Sequence, residues 1–307
     1  MRIMVAHLAR VWKDQVVETY ARSMIRVLRE RGHTVIEAGK TAHANYSDVD
    51  LLLDIDCGRD ETGKLDWHGE TVVPQCRSAV YLIDTHGHPT LHGRIAKNYD
   101  FVFFAVWAKR DVFSGLDSAH WCPNFTDKRW FDGSDYQGLV PSVDFGFFGS
   151  KGGLDRADRM KTAAEKNKWT YQVRQVNYQE RHRWPYTAEA MANCKVLFNH
   201  GQKHDGPNLR VIESMAMQRP LVTDFDPMDG MSKLFTPDEH FIDYGNFIKE
   251  TGTYSYEGLE QAMYQALHSP HAQAAAASAY DLVMKNHLVE NRIDQILEVM
   301  KNEHGCY

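Results

Sequence analysis

The sequence predicts an α/β protein made of two successive parallel-sheet halves and a helical tail. Short apolar runs recur along the 307 residues without strict alternation, and segments of helical length separate them. This pattern is typical of parallel strands covered by helices on both faces. The length is about twice the ~150 residues of an average domain, so two domains are expected. A hydrophobic content of 43% with 25% charged residues is that of an ordinary globular protein.

Strands and helices alternate in the first half from its first residues onward. A helix is predicted from about Asp14 to Arg31, because its apolar residues recur at helical spacing and Gly32 follows as a stop signal. No long periodicity is present from His120 to Pro141, where we predict the connection between the domains. The predicted strands of this half are Arg2–Leu8, His33–Ala38, Asp50–Ile55, Ala79–Ile83 and Phe101–Val106.

A second α/β series follows the predicted connection. Its strands are Val143–Phe148, Trp169–Val176, Val196–Asn199 and Pro220–Thr223, and its helices are Asp155–Lys168, Tyr186–Asn193, Asn208–Gln218, Glu257–Leu267, His271–Lys285 and Val289–Lys301. We therefore predict two Rossmann-like domains, residues 1–140 and 141–280, facing across a cleft. Residues 281–307 are predicted to form a terminal helix that packs back towards the first domain.

Charge excludes one class of function and leaves another open. With 35 Lys and Arg against 41 Asp and Glu, the net charge is −6, which argues against sequence-independent coating of nucleic acid. Residues 151–183, however, hold nine basic residues against four acidic ones. This excess is either a solvated helix face or part of a site for one anionic ligand or one stretch of DNA.

Two further features concern the location of the protein. The longest uncharged apolar run, Phe101–Ala108, has eight residues, whereas a membrane-spanning helix needs about 20, so no integral membrane contact is expected. The five cysteines are widely spaced, odd in number and without a C-x-x-C pair. This usage predicts a reducing cytoplasm, with neither a disulfide framework nor a cysteine zinc site.

The densest chemical signal lies between Asn199 and Asp226. A strand ends there in a polar loop, and a helix begins near Asn208. The N–H groups and positive dipole end of such a helix suit a diphosphate, and Arg210 in its first turn could neutralise phosphate charge. Asp205 and Glu213 are eight residues apart and can flank one ligand; the alternative is an ordinary helix with solvated charges.

A glycine-containing turn gives a second, weaker signal at residues 149–153. It follows the strand Val143–Phe148, contains Ser150 and Lys151, and precedes a helix. Its spacing matches neither a dinucleotide fingerprint nor a P-loop. Both turns follow strands at their carboxyl ends, which is where open α/β sheets bind ligands.

A histidine cluster follows the strand Ala79–Ile83. Asp84, His86, His88 and His92 could hold zinc or iron, since imidazole and carboxylate are ligands of both metals. We favour instead a polar loop lining a cleft, in which Asp84 or His86 acts as acid or base on an acceptor hydroxyl. His88 and His92 are expected to be structural.

Taken together, these segments resemble the group 1 nucleotide-sugar glycosyltransferases of the two-Rossmann-domain (GT-B) type, and most closely their spore-maturation-protein-like branch. The resemblance rests on AVYLIDTHGH (79–88), YDFVFFAVWAKRDVF (99–113), AHWCPNF (119–125), DFGFFGS (144–150), VLFNHGQKHDGPNLRVIESMAMQRPLVTD (196–224) and LVMKNHLVENRIDQIL (282–297). In that family an acidic pair, often E-x7-E, lies in the second domain, and here Asp205 replaces its first glutamate.

The resemblance implies a role for each candidate residue. Glu213 would bind the ribose hydroxyls, and Asp205 would lie near the donor sugar or its phosphate. Asn208, Leu209 and Arg210 would face the diphosphate together with Ser150 and Lys151, and the loop of Asp84 and His86 would face the acceptor. His287 and Arg292 match a terminal-helix signature of the branch and are interpreted as structural.

The implied activity is transfer of a sugar from a nucleoside diphosphate sugar, with UDP as the expected nucleotide, to an acceptor hydroxyl. The enzyme would be a hexosyl- or pentosyltransferase that needs neither metal nor cofactor. The acceptor would be a glycan or surface polymer, with a hydroxylated DNA base as second choice. The alternatives are a nucleotide-sensing or scaffold protein of the same fold and a nucleotide-sugar epimerase. The sugar, the stereochemical outcome and the oligomeric state stay open.

Overall fold

The protein forms two compact units, residues 1–124 with 289–307 and residues 125–288. The computed structural model describes residues 1–7, 11–12, 15–16, 20–38, 48–56, 76–83, 85, 87–150, 156–176, 184–201, 207–226, 230–244 and 256–302. Among these residues, no helix is both long and apolar enough to cross a bilayer.

Each unit contains one parallel sheet flanked by helices. The strands are β1 (Arg2–Ala6), β2 (Val11–Trp12), β3 (Gln15–Val16), β4 (Thr34–Ala38), β5 (Leu51–Asp56), β6 (Ser78–Leu82), β7 (Phe101–Phe104), β8 (Ala119–Trp121), β9 (Val143–Ser150), β10 (Tyr171–Val176), β11 (Cys194–Phe198), β12 (Leu221–Thr223) and β13 (Ile242–Asp243). The helices are α1 (Tyr20–Glu30), α2 (Pro89–Ala96), α3 (Arg156–Asn167), α4 (Trp184–Ala192), α5 (Leu209–Ala216), α6 (Tyr256–His268), α7 (Pro270–Asn286) and α8 (Val289–Asn302).

The first unit is built on a six-stranded sheet in the order β4-β1-β5-β6-β7-β8, and every pairing in it is parallel. All five residues of β6 are buried, as expected for a strand covered on both faces. Helix α1 buries Met24 and Leu28, and Gly32 ends this segment with a φ of +82°, a conformation that favours glycine.

Helix α8, at the end of the chain, belongs to the first unit. Glu290 accepts a hydrogen bond from Arg26 of α1 at 3.0 Å, and Asp294 forms an ion pair with Arg31 at 2.8 Å. The buried Arg292 donates through Nε to the carbonyl of Pro123 at 2.7 Å. These three contacts attach α8 to the helix and the loop against which it lies.

The second unit has a five-stranded parallel sheet in the order β10-β9-β11-β12-β13. Consecutive residues of β11 pack on opposite faces of this sheet. Leu197 lies in the core cluster that contains Met215 of α5, whereas Phe198 lies in the cluster that contains Met263 of α6. Because both faces are buried there, the last three residues of β11, Val196–Phe198, form an apolar run rather than an alternating one.

The predicted fold class is confirmed, although several elements differ from those predicted. The helix predicted from Asp14 begins at Tyr20, and Gln15–Val16 instead pairs antiparallel with Val11–Trp12. Residues 119–121, the last two of which fall in the predicted connection, form the edge strand β8. Its three residues are too few to show a periodicity, and its place is fixed by long-range contacts such as that between the Trp121 and Trp107 rings.

Candidate functional site

The carboxyl edge of the second sheet brings together several candidate residues from separate parts of the chain. Strand β9 ends at Ser150, β11 leads into Asn199, and β12 ends at Thr223. Helix α5 begins at Leu209, after the loop that follows β11. Since all five strands are parallel, their carboxyl ends lie on the same side of the sheet, which is the usual binding edge of this fold class.

The first turn of α5 is fixed to this edge by three side chains. Asn208 is the N-cap residue, and its Oδ1 accepts a hydrogen bond from the Val211 amide at 3.2 Å. Its Nδ2 donates to Asn199 Oδ1 at 3.3 Å, and Asn199 Nδ2 donates to Thr223 Oγ1 at 3.0 Å. This chain of hydrogen bonds connects the helix to the ends of β11 and β12, so the amides of its first turn have a defined direction.

Glu213 is a buried carboxyl group on α5. Its side chain is 2% exposed and forms an ion pair with Arg210, one turn earlier. Burial raises the pKa of Glu213 to about 7, although the Arg210 charge and hydrogen bond act in the opposite direction. A carboxyl group kept in such surroundings is a candidate for binding or catalysis. Arg210, for which we predicted a phosphate contact, forms this ion pair through Nη1.

Three further polar side chains at this edge were not among the predicted site residues. His200 Nδ1 is hydrogen-bonded to the Tyr244 hydroxyl and lies 3.6 Å from Asp224 Oδ2. The Gly201 amide donates to Asp224 Oδ1 at 2.6 Å, which holds the start of the loop after β11. The sequence signal that could have identified His200 and Asp224 is their position, because they follow the strands β11 and β12 almost directly.

Several predicted site residues lie outside the part of the chain that the structure describes. They are Asp84, His86, Lys151 and Asp205. Ser150 is the last residue of β9, and the structure does not describe its side chain either. The residues described at the α5 edge are therefore Asn208, Leu209, Arg210 and Glu213, and the roles assigned above to all nine stay predictions.

The corresponding edge of the first unit contains two buried histidines. His7, directly after β1, has its Nε2 2.9 Å from Glu37 Oε1, and Arg22 approaches the same oxygen at 3.4 Å. His92 of α2 is fully buried, with Nδ1 3.1 Å from Thr85 Oγ1. Sequence reasoning singled out His92 as structural and overlooked His7, whose partner Glu37 lies 30 residues away.

The basic stretch at residues 151–183 is partly neutralised within the described residues. Lys161 forms an ion pair with Asp158 at 3.0 Å, and Lys166 forms one with Glu260 of α6 at 2.8 Å. The second partner lies outside the stretch, so the described part of this helix face carries less positive charge than the local count suggests.

Comparison with known proteins gives one match to a family and many to solved structures. Residues 129–298 match the family model described as "Glycosyl transferase-like". No curated protein matches the sequence. Among solved structures, HepE from Anabaena in complex with UDP and glucose has a TM-score of 0.64 at 11% identity, with 97% of this chain and 99% of that chain covered.

Two other solved structures are similar over nearly the whole chain. A glycosyltransferase from Rickettsia africae ESF-5 has a TM-score of 0.60 at 11% identity, with 98% of each chain covered. An alpha-glucosyltransferase in complex with UDP and a 13-mer DNA containing an HMU base has a TM-score of 0.60 at 11% identity, covering 98% of this chain and 99% of that one. At this identity the similarity shows the fold, which is the GT-B glycosyltransferase fold.

Proposed function

Because the chain belongs to the glycosyl transferase-like family that its residues 129–298 match, we propose that it transfers a sugar from a UDP-linked donor to an acceptor hydroxyl. The observation that carries the proposal is the α5 edge. There the Asn208–Asn199–Thr223 hydrogen bonds fix a helix N-terminus beside the buried Glu213. The HepE and alpha-glucosyltransferase structures, both in complex with UDP, support UDP as the nucleotide.

The proposed donor contacts follow from the chemistry of this edge. The amides of the first turn of α5, with the helix dipole, receive the diphosphate. Ser150, the last residue of β9, and Lys151, which follows it in sequence, assist in this proposal. Glu213 accepts hydrogen bonds from the ribose hydroxyls, and Arg210 orients its carboxylate and favours the charged form. Asp205 lies near the donor sugar in this proposal.

In the proposed reaction the acceptor oxygen forms a bond to the anomeric carbon as the bond from that carbon to the diphosphate breaks. Asp84 or His86 takes the proton of the acceptor hydroxyl. The developing charge on the diphosphate is stabilised by the α5 amides and by nearby cations, so the proposal needs no metal ion. Which face of the sugar is attacked is left open.

The finer assignments are proposals too. We propose the spore-maturation-protein-like branch from the segments that carry that resemblance. We propose a hexosyl or pentosyl group as the transferred sugar. A reducing cytoplasm is proposed as the location, and it agrees with the free thiols of Cys76, Cys122 and Cys194.

The function is tested by calorimetry with UDP-glucose and UDP. Glu213→Ala should weaken donor binding about tenfold or more, because two ribose hydroxyls lose a charged acceptor. Glu239→Ala is the matched control, since Glu239 lies in the same unit with a side chain that is 62% exposed. Glu213→Gln, which keeps the size of the side chain, covers the case in which the alanine variant is unstable. Unchanged donor affinity in both Glu213 variants would remove Glu213 from the site.

The acceptor class is tested separately with a panel of glycans and duplex DNA. Transfer to a neutral oligosaccharide supports the glycan class, and transfer to a hydroxymethylated duplex supports the DNA class, with plain duplex as control. A salt series separates charge-driven DNA binding from specific recognition. Interconversion of the donor sugar without transfer would indicate an epimerase, and failure to bind any donor would indicate a scaffold.

A further inference from the structure

A groove on the second unit lies outside the proposed donor site. Its volume is about 730 Å³, and it lies between the 3-10 turn Gly133–Tyr136 with the loop after it and the first half of α4. The residues that line it are Asp135, Tyr136, Gly138, Leu139, Pro185, Tyr186 and Glu189. It combines aromatic rings with carboxylates, a composition unlike that of a core cavity.

Large apolar side chains are unusually exposed around this groove. Within the described residues, five large hydrophobic side chains are exposed, and three of them, Leu139, Val140 and Tyr186, lie in the groove or directly beside it. Tyr186 is 59% exposed on the first turns of α4. A concentration of exposed apolar surface in one place is typical of a binding surface.

The polar groups of the groove are acceptors of hydrogen bonds and carry negative charge. Burial raises the pKa of the Tyr136 hydroxyl, and the charges of Glu189 and Asp135 raise it further, which shows that both carboxylates lie near this hydroxyl. None of the described residues that line the groove is Lys or Arg. The two carboxylates of this lining repel phosphate, sulfate and carboxylate groups, and so disfavour DNA and anionic polysaccharides.

A neutral glycan has the complementary chemistry. The C–H face of a pyranose packs on an aromatic ring such as that of Tyr186, while its hydroxyls donate to carboxylates at the rim. An open groove rather than an enclosed pocket also fits a polymer that extends beyond one sugar unit. We propose that this groove binds the neutral glycan chain of the acceptor, an inference that rests on the proposed glycosyl transfer.

One end of the groove lies near the donor edge of the same unit. The Tyr186 carbonyl accepts a hydrogen bond from Arg174 of β10 at 3.1 Å. Arg174 pairs with Phe148 of β9, two residues before Ser150, where β9 ends. A glycan bound along α4 therefore has one end beside the carboxyl ends of β9 and β10, the edge to which the donor is assigned.

The test is saturation-transfer NMR with two neutral probes, maltopentaose and cellopentaose, which differ in linkage. The wild-type protein should bind at least one of them, and Tyr186→Ala should weaken that binding about five- to tenfold. Tyr264→Ala is the matched control, because Tyr264 lies in the same unit, is also 59% exposed, and packs on His268 away from the groove. It should leave glycan affinity unchanged.

Other outcomes overturn the proposal. If neither neutral glycan binds, the proposal is wrong. It is also wrong if pentalysine binds at Tyr186 in their place, which would identify a basic peptide as the partner. Equal losses in Tyr186→Ala and Tyr264→Ala would also overturn it. Calorimetry with UDP-glucose distinguishes this failure from failure of the proposed function, because Tyr186→Ala should retain wild-type donor affinity. A protein that binds glycan through Tyr186 but no donor would contradict the transferase alone.

Discussion

At the scale of single residues, Glu213 is the most informative group in the protein. A carboxyl group on the buried face of a helix costs stability whenever it is charged, and the nearby Arg210 offsets only part of that cost. Nothing in the packing of α5 requires an acid at this position, since its neighbours Ile212 and Met215 are apolar and fully buried. A ligand that needs a hydrogen-bond acceptor at this position, as proposed for the ribose of the donor, would account for it.

The raised pKa of Glu213 predicts how stability depends on pH. Its pKa is about 7 in the folded protein against 4.5 for an unperturbed glutamate, so between these values the folded state holds a proton that the unfolded state has released. This group therefore makes the protein less stable as pH rises from about 4.5 to about 7, with no further change above that. Glu213→Gln should lack this dependence.

Urea unfolding of the wild type and Glu213→Gln at a series of pH values measures this effect. As pH rises from about 4.5 to about 7, the unfolding free energy of the wild type should fall relative to that of Glu213→Gln. Above this range the difference between the two proteins should stay constant. Parallel curves for the two proteins would show that Glu213 titrates near its ordinary pKa.

At the scale of elements, α5 combines a structural cap with a proposed binding role. Asn208→Ala removes the cap of α5 and its bond to Asn199, and it should cost about 1 kcal/mol of stability while also weakening UDP binding. Ser269→Ala is the matched control, because Ser269 caps α7 through the His271 amide at 3.2 Å. It should cost a similar free energy and leave UDP affinity unchanged.

Thermal unfolding and calorimetry of these two variants separate the two roles. If both variants keep wild-type UDP affinity, the start of α5 does not hold the diphosphate. If both lose affinity together, the loss reflects stability alone.

Gly133 illustrates a packing constraint at the other end of α5, where a Cβ would lie 2.5 Å from the Met217 backbone.

At the scale of the whole molecule, α8 is attached to the rest of the first unit through contacts that differ in burial and therefore in their contribution to stability. The Arg292 guanidinium is buried and donates to the Pro123 carbonyl at 2.7 Å. Arg31 and Asp294 form their ion pair with side chains 42% and 54% exposed. Arg292→Ala should therefore cost about 2–3 kcal/mol, and Arg31→Ala less than about 1 kcal/mol.

Denaturant unfolding of these two variants, with salt added in a second series, tests this difference. The small effect of Arg31→Ala should decrease further in salt, whereas the loss in Arg292→Ala should persist because buried interactions are screened little. Equal losses would mean that the burial of Arg292 adds nothing to the attachment of α8.

Part of the candidate site was predictable because its signals are local. The strand before Asn199 and the helix start near Asn208 are read from consecutive residues and are present in the structure, and Glu213 lies within that helix. Asp224 and Tyr244 were missed because their partner, His200, is 24 and 44 residues away, and no pattern within one segment reports such a pairing.

The sequence by itself determined the α/β class and the two parallel sheets, because apolar periodicity and turn residues act over a few positions. Only the tertiary structure decided which distant side chains come into contact. It neutralised Lys166 with Glu260 and placed Tyr186 beside Tyr136 in an acidic groove. Burial and charge neutralisation depend on residues that are distant along the chain, and folding alone brings them within contact distance.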